Sequence, residues 1–197
     1  MTSKGAPRAA VVGTGAISQV VHVPILAERS DVELALVSDA DAAKARTVAE
    51  RFGVPEVVGP EEALVRDDID AVLLCTPNHL HEDQAVTALE SGKHVFVERP
   101  MALTVEGTER ILAAGRAAGR CLVVGLPHRF RPEVSALRSF VAGGELGRLY
   151  AVRGSWLTRP VPVMRPTWRQ SRESGGGALM DLGVSALDLC LWVVGYP

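Results

Sequence analysis

Short apolar runs alternate with longer amphipathic stretches over the first 125 residues of the chain. The apolar runs predict β-strands, and the stretches between them have the three-to-four-residue spacing of helices. The predicted strands are 9–12, 32–37, 57–58, 71–75, 94–97 and 121–124, and the predicted helices are 17–26, 42–52, 60–65, 81–91 and 105–118. Strands that alternate with helices form right-handed crossovers and a parallel sheet. We therefore predict an α/β fold in which residues 1–125 form a doubly wound parallel sheet.

The alternation changes after Gly125. The pattern predicts a helix over 132–141, a long strand over 149–157 and a strongly apolar helix over 178–194. A loop containing Pro160, Pro162 and Pro166 separates this strand from the apolar helix. Because one strand cannot bury its own faces, we expect residues 126–197 to form an incomplete α/β second domain. An unpaired strand would be an exposed edge, so one interpretation is that the chain is a piece of a longer enzyme.

Composition narrows the classes of function. Hydrophobic residues make up 47% of the chain and charged residues 22%, which is enough for a packed core. The formal net charge of −2 favours no nucleic-acid partner. The three cysteines lie far apart without metal-ligand spacing, so we expect reduced thiols and no metal site. Asp181 and Asp188 interrupt the longest apolar stretch, so we expect no membrane span and a cytoplasmic protein.

A glycine pair follows the first predicted strand and precedes the first predicted helix. Gly13 permits a tight turn, and Gly15 has no side chain to keep the backbone away from a pyrophosphate. The amides of Ala16 and Ile17, at the start of the helix, would face that anion. This strand–glycine–helix arrangement predicts a dinucleotide-binding site.

Asp39 directly follows the second predicted strand, where a dinucleotide fold places a carboxylate for the adenosine ribose hydroxyls. A carboxylate accepts hydrogen bonds from free hydroxyls and repels a phosphate at the same place. The segment 38–41 contains no arginine that would pair with such a phosphate. The predicted cofactor is therefore NAD, with NADP disfavoured. The alternative is that Asp39 only ends a strand or starts a turn.

Several motifs together resemble the Gfo/Idh/MocA family of oxidoreductases, the glucose–fructose oxidoreductase and inositol dehydrogenase group. The motifs are Gly13-Thr14-Gly15-Ala16-Ile17-Ser18, Val37-Ser38-Asp39, Cys75-Thr76-Pro77-Asn78-His79-Leu80-His81, Glu98-Arg99-Pro100, His128-Arg129-Phe130 and the segment from Gly175 to Gly183. The resemblance implies a Rossmann domain over 1–125 and a partial C-terminal α/β domain over 126–197 for substrate binding and oligomerisation. It implies hydride transfer between NAD(P) and a hydroxyl carbon of a sugar, cyclitol or related polyol. When the second domain is complete, it also implies a homo-oligomer.

Two positions depart from the family pattern. The family motif Glu-Lys-Pro supplies a lysine that handles the proton of the reacting hydroxyl, and this chain has Arg99 there. Arginine stays protonated, so it can orient an oxygen but cannot act as a practical base. The family's Asp-x-x-x-His pair corresponds to Asp181 and Ser185, and serine cannot replace imidazole as a proton acceptor. His128 could compensate, although it could equally well fix a loop.

The resemblance assigns Thr76, Pro77, Asn78, His81 and Glu98 to cofactor binding. The catalytic candidates are Arg99, Asp181 and His128. The glycines at 175–177 are either a hinge or a helix start. Arg165, Arg169 and Arg172 either bind an anionic substrate group or lie in solvent.

The sequence thus predicts an NAD-dependent oxidoreductase that exchanges hydride with a sugar-like or cyclitol-like CH–OH or ketone carbon. An alternative from another class is a catalytically impaired dinucleotide-binding protein, with a sensing or structural role. Loss of the family lysine and histidine favours that alternative. The third interpretation remains a fragment of a longer enzyme.

Overall fold

The computed structural model describes residues 5–157 and 167–196. The chain divides into two units, one ending at Gly125 and the other beginning at Leu126. No helix of the described ranges is long and apolar enough to cross a lipid bilayer.

The first unit is built on a six-stranded parallel sheet, in the spatial order β3-β2-β1-β4-β5-β6. The strands are β1 (Arg8–Val12), β2 (Glu33–Ser38), β3 (Glu56–Val58), β4 (Ala71–Leu74), β5 (His94–Glu98) and β6 (Leu122–Gly125). The helices are α1 (Val23–Glu28), α2 (Ala42–Phe52), α3 (Pro60–Val65), α4 (His81–Glu90) and α5 (Val105–Ala118). The doubly wound parallel sheet predicted from the sequence is confirmed. Strand order reverses between β1 and β4, which is where ligands bind in open α/β sheets.

Helices cover both faces of this sheet because successive residues of a strand point to opposite sides. Ala10 and Val12 of β1 belong to the core shared with α3, α4 and α5. Val11, between them, belongs to the core shared with α1 and α2. The central strand β1 is therefore almost completely buried, in agreement with its uninterrupted apolar sequence.

Local sequence signals account for the bounds of α2. The Asp41 carboxylate accepts hydrogen bonds from the amides of Ala43 and Lys44 at the start of the helix. Gly53, with a φ of 69°, ends it in the left-handed conformation that glycine adopts most easily. Asp41 fixes where α2 begins, just beyond β2, and Gly53 fixes where it ends.

The first helical segment differs from the predicted helix 17–26. The chain forms a π-helical turn, Ser18–His22, that continues directly into α1. Pro24 has no N–H to donate to a carbonyl of the preceding turn, in agreement with the wider π-helical turn there. The sequence indicated that Pro24 distorts this helix, but not that the distortion widens the turn before it.

The second unit contains α6 (Pro132–Ala142) and α7 (Val184–Val194), and the π-helical segment Leu179–Gly183 leads into α7. The two helices pack together. Arg129 contacts α7 in two ways. Its guanidinium forms a bidentate ion pair with Asp188, with 2.9 Å between Arg129 Nε and Asp188 Oδ2, and it lies 4.5 Å from the ring centre of Trp192.

The predicted strand over 149–157 is wrong: these residues have no regular secondary structure. Their β-forming side chains are not sufficient, because a strand also needs a neighbour for its N–H and C=O groups, and no described segment pairs with them. The proline-rich loop and Arg165 lie outside the described residues.

Substitutions at Gly13 and Gly15 test how tightly the turn after β1 is packed. A Cβ at Gly13 would lie 2.6 Å from the Cys75 carbonyl carbon, and its φ is +95°. A Cβ at Gly15 would meet no atom within 4 Å. We expect Gly13→Ala to lower the free energy of unfolding by at least about 2 kcal/mol, and Gly15→Ala to change it by no more than about 0.5 kcal/mol. Urea unfolding measures both, and equal stabilities would contradict the packing described here.

Candidate nucleotide-binding site

The turn after β1 lies at the carboxyl edge of the sheet, between the ends of β2 and β4. The Gly13 amide donates to the Ser38 carbonyl over 2.7 Å, and the Cys75 amide donates to the Val12 carbonyl over 2.8 Å. Gly13 thus passes so close to Cys75 that no side chain fits there. The backbone is held on both sides, and its path over the sheet edge is fixed.

The segment after Gly13 presents backbone amides beside open space. The Ser18 hydroxyl donates to the Gly13 carbonyl, which draws the start of the helical segment back onto the turn. The first amides of a helix have no carbonyl partner within the helix and attract anions. Gly15 borders open space, and Ala16 and Ile17 are exposed. The residues present therefore fit a pyrophosphate.

Asp39 lies beside this turn. Its Oδ2 accepts hydrogen bonds from the amide of Thr14 over 2.7 Å and from the Thr14 hydroxyl over 2.8 Å. Its Oδ1 accepts from the Asp41 amide over 3.0 Å. Burial alone would raise the pKa of this carboxyl, but hydrogen bonds from Asp41, Lys44 and Thr14 outweigh it and lower the pKa. Asp39 is therefore an oriented, ionised carboxylate.

Lys44 is a site residue that the sequence analysis missed. Its Nζ lies 2.9 Å from Asp39 Oδ2, because the first turn of α2 brings it back over the end of β2. The segment 38–41 contains no cation, and this lysine lies five residues after the aspartate. A charged residue in the first turn of the following helix is the signal that could have identified it.

The segment after β4 is ordered by side-chain hydrogen bonds. Thr76 Oγ1 donates to Gln84 Oε1 over 2.6 Å, Pro77 is half-buried and Asn78 is buried. Beside it, a mainly apolar groove of about 500 Å³ runs between α3 and α4. The groove is lined by Pro60, Glu61, Leu64, Val65, Leu80, Asp83, Gln84 and Thr87.

His81, which the resemblance assigns to cofactor binding, lies between the segments that follow β4 and β5. Its side chain has no solvent exposure, with Nδ1 2.8 Å from the Pro100 carbonyl oxygen and Nε2 2.9 Å from that of Thr76. Burial dominates and lowers the pKa, although both backbone contacts act in the opposite direction. His81 therefore links the segments after β4 and β5, and its assignment to cofactor binding stays a prediction.

Glu98 ends β5 and is followed by half-buried Arg99, which precedes a cis peptide bond to Pro100. Glu98 Oε1 lies 2.7 Å from His22 Nε2. The sequence analysis found no signal that distinguished His22 from a structural histidine. Its partner is 76 residues away along the chain, so only the fold brings the two together.

The remaining candidates belong to the second unit. The His128 ring lies 4.5 Å from that of Trp156, between ring centres. Asp181 lies in the π-helical segment, with Oδ2 3.5 Å from Arg169 Nε. Ser185 is buried, and its Oγ has no hydrogen-bond partner among the residues described. Arg172 is exposed.

Over residues 5–157 and 167–196, no three His, Cys, Asp or Glu side chains are grouped so that they could hold a metal ion. The three cysteines are free thiols, with Cys75 buried and Cys121 exposed.

Family models match both parts of the chain. Residues 7–126 match the oxidoreductase family with an NAD-binding Rossmann fold, and residues 134–197 match a Gfo/Idh/MocA C-terminal domain. The chain is 32% identical over 191 residues to D-glucoside 3-dehydrogenase of Escherichia coli (strain K12), covering 96% of this chain and 54% of that protein.

Solved structures give the same result. A crystal structure of GenD2 from gentamicin A biosynthesis, in complex with NAD, matches with a TM-score of 0.86 and 30% identity, covering 98% of this chain and 55% of that one. KijD10, a 3-ketoreductase from Actinomadura kijaniata in complex with TDP-benzene and NADP, matches with a TM-score of 0.77 and 30% identity. This match covers 90% of this chain and 53% of KijD10.

The chain spans about half the length of the relatives it matches. The parallel sheet, the glycine turn and the family matches agree with the resemblance noted from its motifs. The chain belongs to the Gfo/Idh/MocA family of oxidoreductases, and the family's NAD-binding Rossmann fold lies within residues 7–126.

Proposed function

We propose that this chain belongs to an NAD-dependent oxidoreductase that transfers hydride between the nicotinamide and a CH–OH or ketone carbon of a sugar-like or cyclitol-like substrate. The observation that carries the proposal is the Gly13 turn with Asp39 fixed beside it. The names of the relatives, a glucoside dehydrogenase and a 3-ketoreductase, support the substrate class.

The cofactor would lie along the carboxyl edge of the sheet. The amides after Gly13 would hold the pyrophosphate, and Asp39 would accept hydrogen bonds from the adenosine ribose. Thr76, Pro77 and Asn78 would border it at the end of β4, with Glu98 at the end of β5. When bound, the nicotinamide supplies or accepts the hydride, and the protein aligns the reacting groups.

Arg99 follows Glu98 and would orient the substrate oxygen. Because a guanidinium stays protonated, it would stabilise negative charge on that oxygen without removing its proton. Asp181 and His128 are the candidates for the proton acceptor. Asp181 Oδ2 lies 3.5 Å from Arg169 Nε, which gives this carboxylate a cationic neighbour.

The preference for NAD follows from Asp39 but is moderated by Lys44. An ionised carboxylate accepts from the ribose hydroxyls and repels a 2′-phosphate. Lys44 neutralises part of that charge and offers a cation at the same place. We therefore propose NAD as the preferred cofactor, with weaker binding of NADP.

Cofactor preference is tested by titrating NAD and NADP into the wild type and into Asp39→Ala and Lys44→Ala by calorimetry. We expect Asp39→Ala to weaken NAD binding about tenfold and to remove the discrimination against NADP. Lys44→Ala should weaken NADP binding more than NAD binding, because only NADP carries the extra phosphate.

Asp31→Ala is the matched control, since Asp31 pairs with Arg29 on the surface before β2. Its affinities should equal those of the wild type. If Asp39→Ala leaves both affinities unchanged, the assignment of Asp39 to the ribose fails.

A second test concerns the pyrophosphate. A side chain at Gly15 meets no protein atom, so Gly15→Val should fold normally but occupy the space proposed for the anion. We expect NAD affinity to fall at least about tenfold, as measured by calorimetry, with an unchanged circular dichroism spectrum. Wild-type affinity in this variant would place the pyrophosphate elsewhere.

Catalysis is tested on the product of the complete reading frame, with a panel of sugars and polyols and the absorbance of reduced nicotinamide. Arg99→Lys and the double variant Arg99→Lys/Ser185→His restore groups that can exchange a proton. We expect turnover in the wild type, and a stronger dependence of the rate on pH in the double variant. NAD binding without turnover in any of these proteins would favour a non-catalytic dinucleotide-binding role.

A further inference from the structure

A histidine and a carboxylate form a close, largely buried pair at the carboxyl edge of the sheet. Protonated His22 donates from Nε2 to Glu98 Oε1 over 2.7 Å. Their side chains are 14% and 19% exposed. His22 ends the π-helical turn that follows the glycine turn, and Glu98 is the last residue of β5. The pair thus links the segment proposed for the pyrophosphate to the segment that carries Arg99.

Neighbouring residues hold both partners in place. The Phe96 ring packs edge-on against the His22 imidazole, with ring centres 5.2 Å apart. A Cβ at Gly125, which pairs with Glu98 across β5 and β6, would lie 3.2 Å from Glu98 Oε2. The glycine therefore leaves room for the carboxylate, and the pair has little freedom to move.

The electrostatics keep the pair charged. Burial disfavours the protonated imidazole, but the hydrogen bonds that the ring donates to Cys75 and Glu98 outweigh burial and raise the pKa of His22 to about 9. Glu98 of β5 and Cys75 at the end of β4 are the titratable groups that interact with the ring. His22 is therefore an imidazolium at neutral pH.

The location of the pair indicates more than stability. A buried ion pair is weak evidence for stability, because desolvation offsets much of the attraction. His94, at the other end of β5, accepts a hydrogen bond from the Cys121 amide. The adenosine half of a bound dinucleotide is assigned to Asp39, beyond β2. The His22–Glu98 pair lies at the end of β5, where the nicotinamide half would extend.

We propose that His22 is a positioning residue, which holds the Glu98 carboxylate and the adjoining Arg99 toward the nicotinamide half of the bound cofactor. This inference rests on the proposed cofactor binding. It assigns to His22 no contact with the substrate: the imidazolium acts through Glu98.

The test compares NADH with ADP, which has the adenosine and pyrophosphate but lacks the nicotinamide riboside. We expect His22→Gln to weaken NADH binding roughly tenfold and to leave ADP binding unchanged. Glu98→Gln should behave in the same way. NADH binding is followed by its fluorescence and ADP binding by calorimetry, with thermal unfolding as a check on the fold.

His94→Gln is the matched control, because it removes a histidine from the same strand at the opposite edge. It should bind both ligands as the wild type does. Equal weakening of NADH and ADP in His22→Gln would indicate a general structural role and overturn the inference. Unchanged NADH affinity would overturn it too. A wild type that binds neither ligand would instead refute the proposed cofactor site, and the inference with it.

Protonation gives an independent readout. The pair requires a charged ring, so its contribution is present at neutral pH and is lost as the pH rises through about 9. We expect NADH affinity in the wild type to fall above that pH and to fall less in His22→Gln. In Cys75→Ala the fall in NADH affinity should move to lower pH, because this variant removes one of the partners that raise the pKa of His22. An NMR titration of His22 without cofactor should give the raised pKa in the wild type and a lower one in Glu98→Gln; an ordinary value in the wild type would overturn the inference.

Discussion

The close passage of the chain between Ser38 and Cys75 is the constraint on which the rest of the site depends. The carbonyl of Cys75 occupies the space that a side chain at Gly13 would need. Because the turn can only run close to β4, Thr14 reaches Asp39 with both its amide and its hydroxyl. The same turn brings the helical amides to the edge of the sheet, where strand order reverses. A binding edge thus follows from the packing of one backbone turn.

Two ion pairs flank that turn on opposite sides. Lys44 and Asp39 meet beyond β2, and His22 and Glu98 meet at the end of β5. In each pair the carboxylate comes from the end of a strand and the cation from the first or second turn of a helix that follows a strand. Parallel strands that all end at one edge make such pairs between distant residues possible. The edge of the sheet therefore carries one ion pair beyond β2 and another at the end of β5. Arg99 adds a permanent positive charge next to Glu98 in the sequence.

Much of the first unit could be predicted because the relevant signals are local. The helix 42–52 was predicted from its spacing, and Asp41 and Gly53 set the same bounds in the structure. The strand 71–75 was recognised from its continuous apolar run, and β4 ends one residue earlier. Prediction failed where pairing decides the outcome, as in 149–157, where β-forming residues have no described neighbour to pair with. The contacts of His81 could not be predicted either, since a motif position does not reveal that the ring lies between two backbone carbonyls.

By itself, the sequence determined the order of strands and helices, the glycine turn, and the acidic residue after the second strand, because these depend on neighbours within a few positions. Only the tertiary structure decided the partners of the charged groups. Lys44 reaches Asp39 from the first turn of α2, and His22 meets Glu98 across 76 residues of chain. Such contacts depend on the distances between strand ends in the folded sheet, which hydrophobic spacing along the chain does not encode.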